Sequence, residues 1–426
     1  MRSDTLHVLR QRDFALLWWG GLVSFLGNWT LRVALPVTVL ELTGSTAALA
    51  ATTAAGLLPA LLIGPLVGVY VDRWDRKRVM VVGNLVQAAV LAPLLLVDSA
   101  SEVWIVVVVA LVSAGVSPFC QIAENALLPR LVPRRHLLTA NSLNAVNNNL
   151  ARFVGPVLGG TLAVTVGLPG VVVLDAATYL VAAGFAALVS GGHRPAGVAS
   201  AAAGPVRRVA REMREGFSTI VSDGPLRVVF GMVVLIGLGE GVMATVFVVF
   251  VEQEIAGGAA AYGWLVAAQA VGGVCGGLAG GRFAARFSER HILGFGLVAL
   301  GCCDLFTFNY PQWYSHVWPG LAAMIVVGLP SALSQAALTT VVQTRTPDRL
   351  RGRVFAVRGA VMAGFMIVGT GLAAASQSHL DVVTVLSLQA LTPIAAGSAA
   401  LVLLRTTGHP EQPSPIASPE RVARRD

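Results

Sequence analysis

The sequence predicts an all-α membrane protein: twelve transmembrane helices in two pseudo-symmetric six-helix bundles. Three observations carry that expectation. The composition suits lipid, since 55% of the 426 residues are hydrophobic, only 12% are charged, and mean hydropathy is +0.73. Soluble chains carry about 25% charged residues. About twelve apolar stretches approach the roughly 20 residues needed to cross a bilayer, and basic residues occupy only alternate gaps between them. One long gap near 191–225 divides the stretches into two sets of six.

The spans fall near 14–40, 46–70, 79–97, 103–123, 139–165, 170–190, 226–251, 259–284, 291–309, 317–342, 354–377 and 382–404. Even-numbered gaps hold Arg73, Arg76, Lys77 and Arg78, then Arg130, Arg134 and Arg135, then the arginines of 194–227, then Arg282, Arg286 and Arg290, then those of 345–353. Odd-numbered gaps contain no Lys or Arg and carry Glu41, Asp98, Glu102, Glu252, Glu254 and Asp381. Because cytoplasmic loops accumulate Lys and Arg, both termini are expected in the cytoplasm. Trp104, Trp313, Tyr314 and Trp318 lie at the opposite span ends, where an interfacial aromatic belt belongs.

The expected organisation is a first bundle over 1–190, a cytoplasmic linker over 191–225, a second bundle over 226–405 and a disordered cytoplasmic tail over 406–426. Within the linker, 193–204 is Ala/Gly-rich, while 207–220 alternates charged and apolar residues as an amphipathic surface helix would. The halves also look duplicated. An offset of 212 to 214 residues aligns Gly27 and Asn28 with Gly239 and Glu240, Arg73 with Arg286, Lys77 with Arg290, Ser117 with Ser331, Gln121 with Gln335, and Pro133 with Pro347. Such internal repeats are common in transporters.

Composition also excludes some classes. The net charge of +8 and pI near 10.0 sit in short clusters between apolar runs, without the aromatic interleaving of a nucleic-acid face. Cys120, Cys275, Cys302 and Cys303 lie in or beside apolar segments without metal-ligand spacing, so they read as buried thiols, and no metal or cofactor is expected. The first apolar run lacks the small-residue cleavage pattern of a signal peptide. Lys77 is the only lysine and follows no Gly-rich phosphate loop, which excludes an ATP-driven pump within this chain.

Charged groups inside a bilayer cost several kcal/mol, about +3 on insertion scales, so each intramembrane charge asks for a role. Arg32, Arg152 and Arg358 fall inside spans, and Glu240 and Asp304 are the deepest acids. Glu124 and Asp175 lie nearer span ends, where an interfacial position is expected. In span 5, Asn141, Asn144, Asn148, Arg152, Gly155 and Gly159 recur every three or four residues and share one helical face. That stripe must face a cavity or another helix, its glycines permit close approach, and Pro156 should kink or loosen the helix. Plain tight helix packing explains the stripe equally well.

Span 1 carries Ser24, Asn28 and Arg32 on one face, span 4 carries Ser113, Ser117, Gln121 and Glu124, and span 10 carries Ser331, Gln335 and Thr339. Glu240 on span 7 occupies the repeat position of Asn28. A buried carboxylate can be neutral or charged according to its surroundings, which suits proton exchange. The competing explanation is a permanent strut to Arg32 or Arg152. Asp304 on span 9 is a second proton-coupling candidate, with a packing role at the bundle edge as the competing explanation. Trp29, Met243 and Phe247 add apolar surface beside these groups, so the expected ligand is a large amphiphilic small molecule.

The stretch from Gly68 through Asp72, Arg73, Asp75, Arg76, Lys77 and Arg78 resembles the loop signature of the major facilitator superfamily, Gly-x-x-x-Asp-Arg-x-Gly-Arg-Arg/Lys. Arg152-x-x-Gly155-Pro156-x-x-Gly159-Gly160 resembles the Gly-Pro-x-x-Gly-Gly motif of its antiporters. Ala34-Leu35-Pro36, Glu41-Leu42-Thr43-Gly44-Ser45, Leu128-Pro129-Arg130-Leu131-Val132-Pro133, Ala140-Asn141 and Arg351-Gly352-Arg353-Val354-Phe355 resemble the branch containing enterobactin exporters and macrolide-efflux proteins.

The resemblance implies two bundles rocking about a central site lined by spans 1, 4, 7 and 10, with proton-driven export from a bacterial cell membrane, by a monomer. It also implies a cytoplasmic latch made by Asp72 and the basic cluster. Two departures stand out: Asp75 replaces the usual glycine, and Ala285 replaces the aspartate in the second-half copy. Two other classes remain open: a uniporter or channel, and a membrane prenyltransferase using Asp72 and Asp75. The latter would need further acids for its metal, and arginines flank the pair instead.

Overall fold

The structure, a computed structural model, describes residues 8–63, 67, 71, 74–191, 205–314, 316–377 and 379–404. Of the expected latch, Gly68, Asp72 and Arg73 lie outside the described residues, as do the whole of the 193–204 linker and of the 406–426 tail.

The first half contains α1 (Arg12–Thr43), α2 (Thr46–Leu62), α3 (Arg76–Leu91), α4 (Val103–Leu131) and α5 (Leu137–Leu188). Next comes α6 (Pro205–Ser222). The second half contains α7 (Gly224–Gln253), α8 (Gly258–Ala284), α9 (Glu289–Asn309), α10 (Val317–Arg345), α11 (Arg351–Ser376) and α12 (Val382–Leu403).

Ten helices among the described residues are long and apolar enough to cross a membrane. One of them, α5, makes two crossings, and the shorter apolar helix α2 completes the expected twelve. Inside α5 only Gly167 leaves helical geometry, with φ 64° and ψ −175°, a region essentially reserved for glycine. Pro169 follows and starts the next arm. The contacts with α1 show that the chain reverses there. Before the break, Gly155 and Gly159 advance along Trp29 and Thr30, whereas after it Asp175 meets Gly27 and Ala182 meets Gly20. Pro156 lies inside the helix with helical φ/ψ, and the break in the helix lies at Gly167.

Several helices outrun their apolar stretches. The α4 helix continues to Leu131, past the expected end near 123, and finishes with Arg130 in its last turn, where a cation complements the helix C-terminus. Hydroxyls buried in these helices donate to carbonyls one turn back, as Thr245 does to Gly241 at 2.9 Å, and Thr30 donates both to Leu26 at 2.8 Å and across to the Gly155 carbonyl of α5 at 3.3 Å.

The repeat is visible in matching contacts. The Lys77 Nζ donates to the Val189 carbonyl at 2.6 Å, and its counterpart Arg290 donates to the Leu401 carbonyl, so each basic residue reaches the end of the sixth crossing of its own half. Asp75 occupies the place of the usual motif glycine and caps α3, its carboxylate accepting the Arg78 N–H at 3.0 Å.

The apolar cores show how the halves meet. At the arginine-rich end each half has its own core, one around Phe14, Leu127 and Leu143, the other around Leu226, Leu293 and Val342. At the opposite end a single core runs through both. It joins Val37, Leu49, Leu91 and Leu168 to the consecutive buried residues Val246, Phe247, Val248, Val249, Phe250 and Val251 of α7. Among the described residues the apolar core is therefore shared by the halves at that end and separate in each half at the arginine-rich end.

The amphipathic helix α6 exceeds its expected range by two residues at each end. It docks on α11 through Gly216 and a Glu215–Arg353 ion pair, and it buries Ile220 in the second-half core.

Candidate functional site: a central cavity between the halves

A cavity of about 590 Å³ lies between the halves beneath the seal. Asn28, Trp29, Arg32 and Ser117 also line a neighbouring lobe of about 350 Å³ inside the first half. Cavities of this size suit drug-sized ligands.

Most expected site residues converge here. Asn28, Arg32, Ser117, Arg152, Glu240, Met243, Phe247, Asp304 and Ser331 line the main cavity, while Gln121 and Asn148 line the lobe. Asn144 and Gln335 line neither the cavity nor the lobe. The Asn144 amide donates to Glu124 at 3.2 Å, and the Gln335 carbonyl accepts from Arg358 at 2.9 Å. Arg358 also donates to Thr339 at 3.3 Å, so α10 holds this guanidinium. Phe247 stacks near Phe250 and Tyr262, with ring centres 6.2 Å and 5.7 Å away, and forms the sealed ceiling.

Glu240 makes no hydrogen bond or direct ion pair among the described residues, although its charge is felt by Arg152 and Arg32. Arg32 and Arg152 both stack near Trp29, with guanidinium carbons 4.9 Å and 5.8 Å from the ring centre. Asp304 is only 6% exposed and borders the cavity within electrostatic reach of Glu240, so it points into the bundle and not toward its edge.

The chain matches the family described as transmembrane secretion effector over residues 3–419. It belongs to the major facilitator superfamily of membrane transporters. Macrolide efflux protein A of Streptococcus pyogenes is 30% identical over 178 residues, 41% of this chain; the match spans less than half of that relative, 44% of its length. The multidrug efflux pump Tap of Mycobacterium tuberculosis is 27% identical over 367 residues, covering 80% of this chain and 81% of the pump. Among solved structures, a bacterial homologue of the iron transporter ferroportin in an inward-facing state superposes with TM-score 0.73 at 16% identity, over 92% of this chain and 97% of that one. The nucleoside transporter NupG superposes with TM-score 0.70 at 13% identity, over 94% and 100%. These structures share the fold.

In this transporter the glycines of the expected antiporter motif are contact points. An added Cβ on Gly155 would strike Trp29, one on Gly159 the Thr30 carbonyl, and one on Gly160 the Ala259 carbonyl. The Pro156 carbonyl in turn faces Gly263 of α8. Gly155 and Gly159 thus bind α5 to α1, while Gly160 and Gly263 bring the two halves together. Arg76 donates to the Ala126 carbonyl at 2.9 Å, so with Lys77 it ties α3 to neighbouring helices of the first half.

The interfacial position expected for Asp175 is corrected by the structure. Asp175 is 1% exposed beside Gly27, because α5 turns back at Gly167 and leads this residue into the bundle. Glu124 lines the lobe, because α4 continues beyond it for two turns. A signal for Asp175 existed. The 214-residue offset relates Asp175 to Gln389 and Thr178 to Thr392, the residues that fill the slots beside Gly27 and Gly239. Each slot has one acid and one amide, in exchanged positions: Asn28 with Asp175, and Glu240 with Gln389. Tyr179, which accepts from Asn28 at 2.8 Å, and Tyr262 were also missed, since neither belongs to a polar stripe.

Proposed function

We propose that this transporter exports an amphiphilic small molecule by alternating access, in exchange for protons carried on Glu240. The observation that carries this reading is the solitary state of Glu240. A carboxylate at the central cavity, near two arginines but locked to neither, can gain or lose a proton as a ligand comes and goes. A permanent strut would require a direct ion pair. Asp304, behind Glu240, is the second proton carrier in this scheme, a relay between Glu240 and the far side of the second half.

The arginine-rich end is the cytoplasmic face by the asymmetry of Lys and Arg, which places both termini inside the cell. The exposed Gln121, Asn148 and Arg152 then face a cavity open to the cytoplasm, the state that loads an export substrate. Residues 1–190 and 226–405 act as the rocking units, 191–225 joins them, and the monomer in a bacterial cell membrane is the working form. The efflux relatives support the outward direction. A core continuous across both halves at the sealed end favours a carrier over an open channel.

The test is an efflux screen across drugs, siderophores and secondary metabolites in cells, followed by proteoliposomes containing the full chain. Saturable transport abolished by a protonophore is expected. Non-saturable or protonophore-insensitive flux would refute the coupled-carrier reading.

A further inference from the structure

Two guanidiniums in the cavity have no acceptor among the described residues. Arg32 on α1 and Arg152 on α5 stack near Trp29, yet neither makes a hydrogen bond or direct ion pair among the described residues. Each has five N–H donors in a planar fork suited to carboxylate or phosphate. The two lie close enough to repel one another. Arg358 provides the contrast within the same molecule, because Gln335 and Thr339 hold its donors.

A protein that needed Arg32 and Arg152 only for packing would give them acceptors in the same way. The field of Glu240 reaches both, but one carboxylate facing two guanidiniums leaves a positive charge over. Trp29 adds a flat apolar face at the same point, and Met243 and Phe247 line the cavity beyond it.

We propose that Arg32, Arg152 and Trp29 form an anion subsite, and that the transported molecule carries an acidic group, such as a carboxylate, on a flat aromatic body. This rests on reading the cavity as the transport site. The acidic group bridges the two forks and relieves their repulsion, while its ring system lies against the indole.

The test uses the full chain in nanodiscs and two dyes with the same xanthene body, anionic fluorescein and cationic rhodamine 123, with binding read by fluorescence anisotropy. Fluorescein is expected to bind at least about tenfold more tightly, the ratio expected for one charge-assisted hydrogen bond. Arg32→Gln and Arg152→Gln should each weaken fluorescein by about tenfold without weakening rhodamine 123. The wild-type comparison requires no variant to fold. Fluorescein that fails to bind, or binds no better than rhodamine 123, overturns the subsite. Tight rhodamine 123 binding lost in Glu240→Gln would also overturn it while leaving proton-coupled export standing.

Discussion

Replacing Gly263 with alanine should open the sealed end. A Cβ at Gly263 would run into the carbonyl oxygen of Pro156, with the Gly160 Cα only 3.2 Å away. Pro156 lies in the first half and Gly263 in the second, and a helix carbonyl cannot rotate aside. The collision is therefore relieved only by parting α5 from α8, which is the movement that breaks the seal. Overpacking of this kind costs about 1–3 kcal/mol. Alanine also favours helix over glycine by about 0.8–1 kcal/mol, but that gain is present in both conformations and cancels from their equilibrium. The clash alone should shift the populations about 5- to 150-fold.

The assay places a cysteine at Val248, a 4% exposed residue of the seal, after replacing the four native cysteines. Labelling by a membrane-impermeant maleimide from the sealed side should be slow in the parent and accelerated in Gly263→Ala. Gly277→Ala, on the same helix but facing open space, is the control and should label like the parent. Unchanged labelling in a folded Gly263→Ala protein, or equal acceleration in the control, would refute the assignment of this contact to the seal.

Three further expectations follow from local chemistry. Glu41 and Glu252 repel one another at the sealed end, so Glu252→Gln should slow the same Val248 labelling, by up to about fivefold for exposed charges. Asp75→Ala removes the cap of α3 and should cost about 0.5–2 kcal/mol, seen as a lower melting temperature that Asp75→Asn largely restores. Asp381 caps α12 by accepting from the Thr384 hydroxyl and N–H, and these hydrogen bonds hold its carboxyl below the usual aspartate range. A depressed folded-state value means that its contribution is present above the ordinary aspartate range and disappears as pH falls through the folded value. The melting difference between wild type and Asp381→Ala should therefore shrink on acidification, from a small starting value because the group is exposed.

The sequence made the spans, the alternation of arginine-rich gaps and the shared faces of Asn28 with Arg32 and Asn148 with Arg152 legible, because each depends on spacing along one helix. What it hid depends on contacts between helices. Distance along the chain puts Asp175 near a span end, and only the reversal at Gly167 brings it against Gly27. Arg32 and Arg358 look alike as intramembrane arginines, yet Gln335 and Thr339 occupy one while the other faces open space. No periodicity could distinguish them. Likewise, the run 246–251 reads as an ordinary apolar stretch, and its role as the seal appears only when it shares one buried core with Val37, Leu49 and Leu168 of the other half.

Proton exchange through Glu240 is tested most directly in inverted membrane vesicles, using the substrate found by the efflux screen and comparing wild type with Glu240→Gln. Wild type should accumulate substrate when an acid-inside gradient is imposed and lose it on adding a protonophore. Glu240→Gln should keep substrate-for-substrate exchange but no longer respond to the gradient. Gradient-driven accumulation that persists in Glu240→Gln would contradict the assignment of proton coupling to this carboxylate.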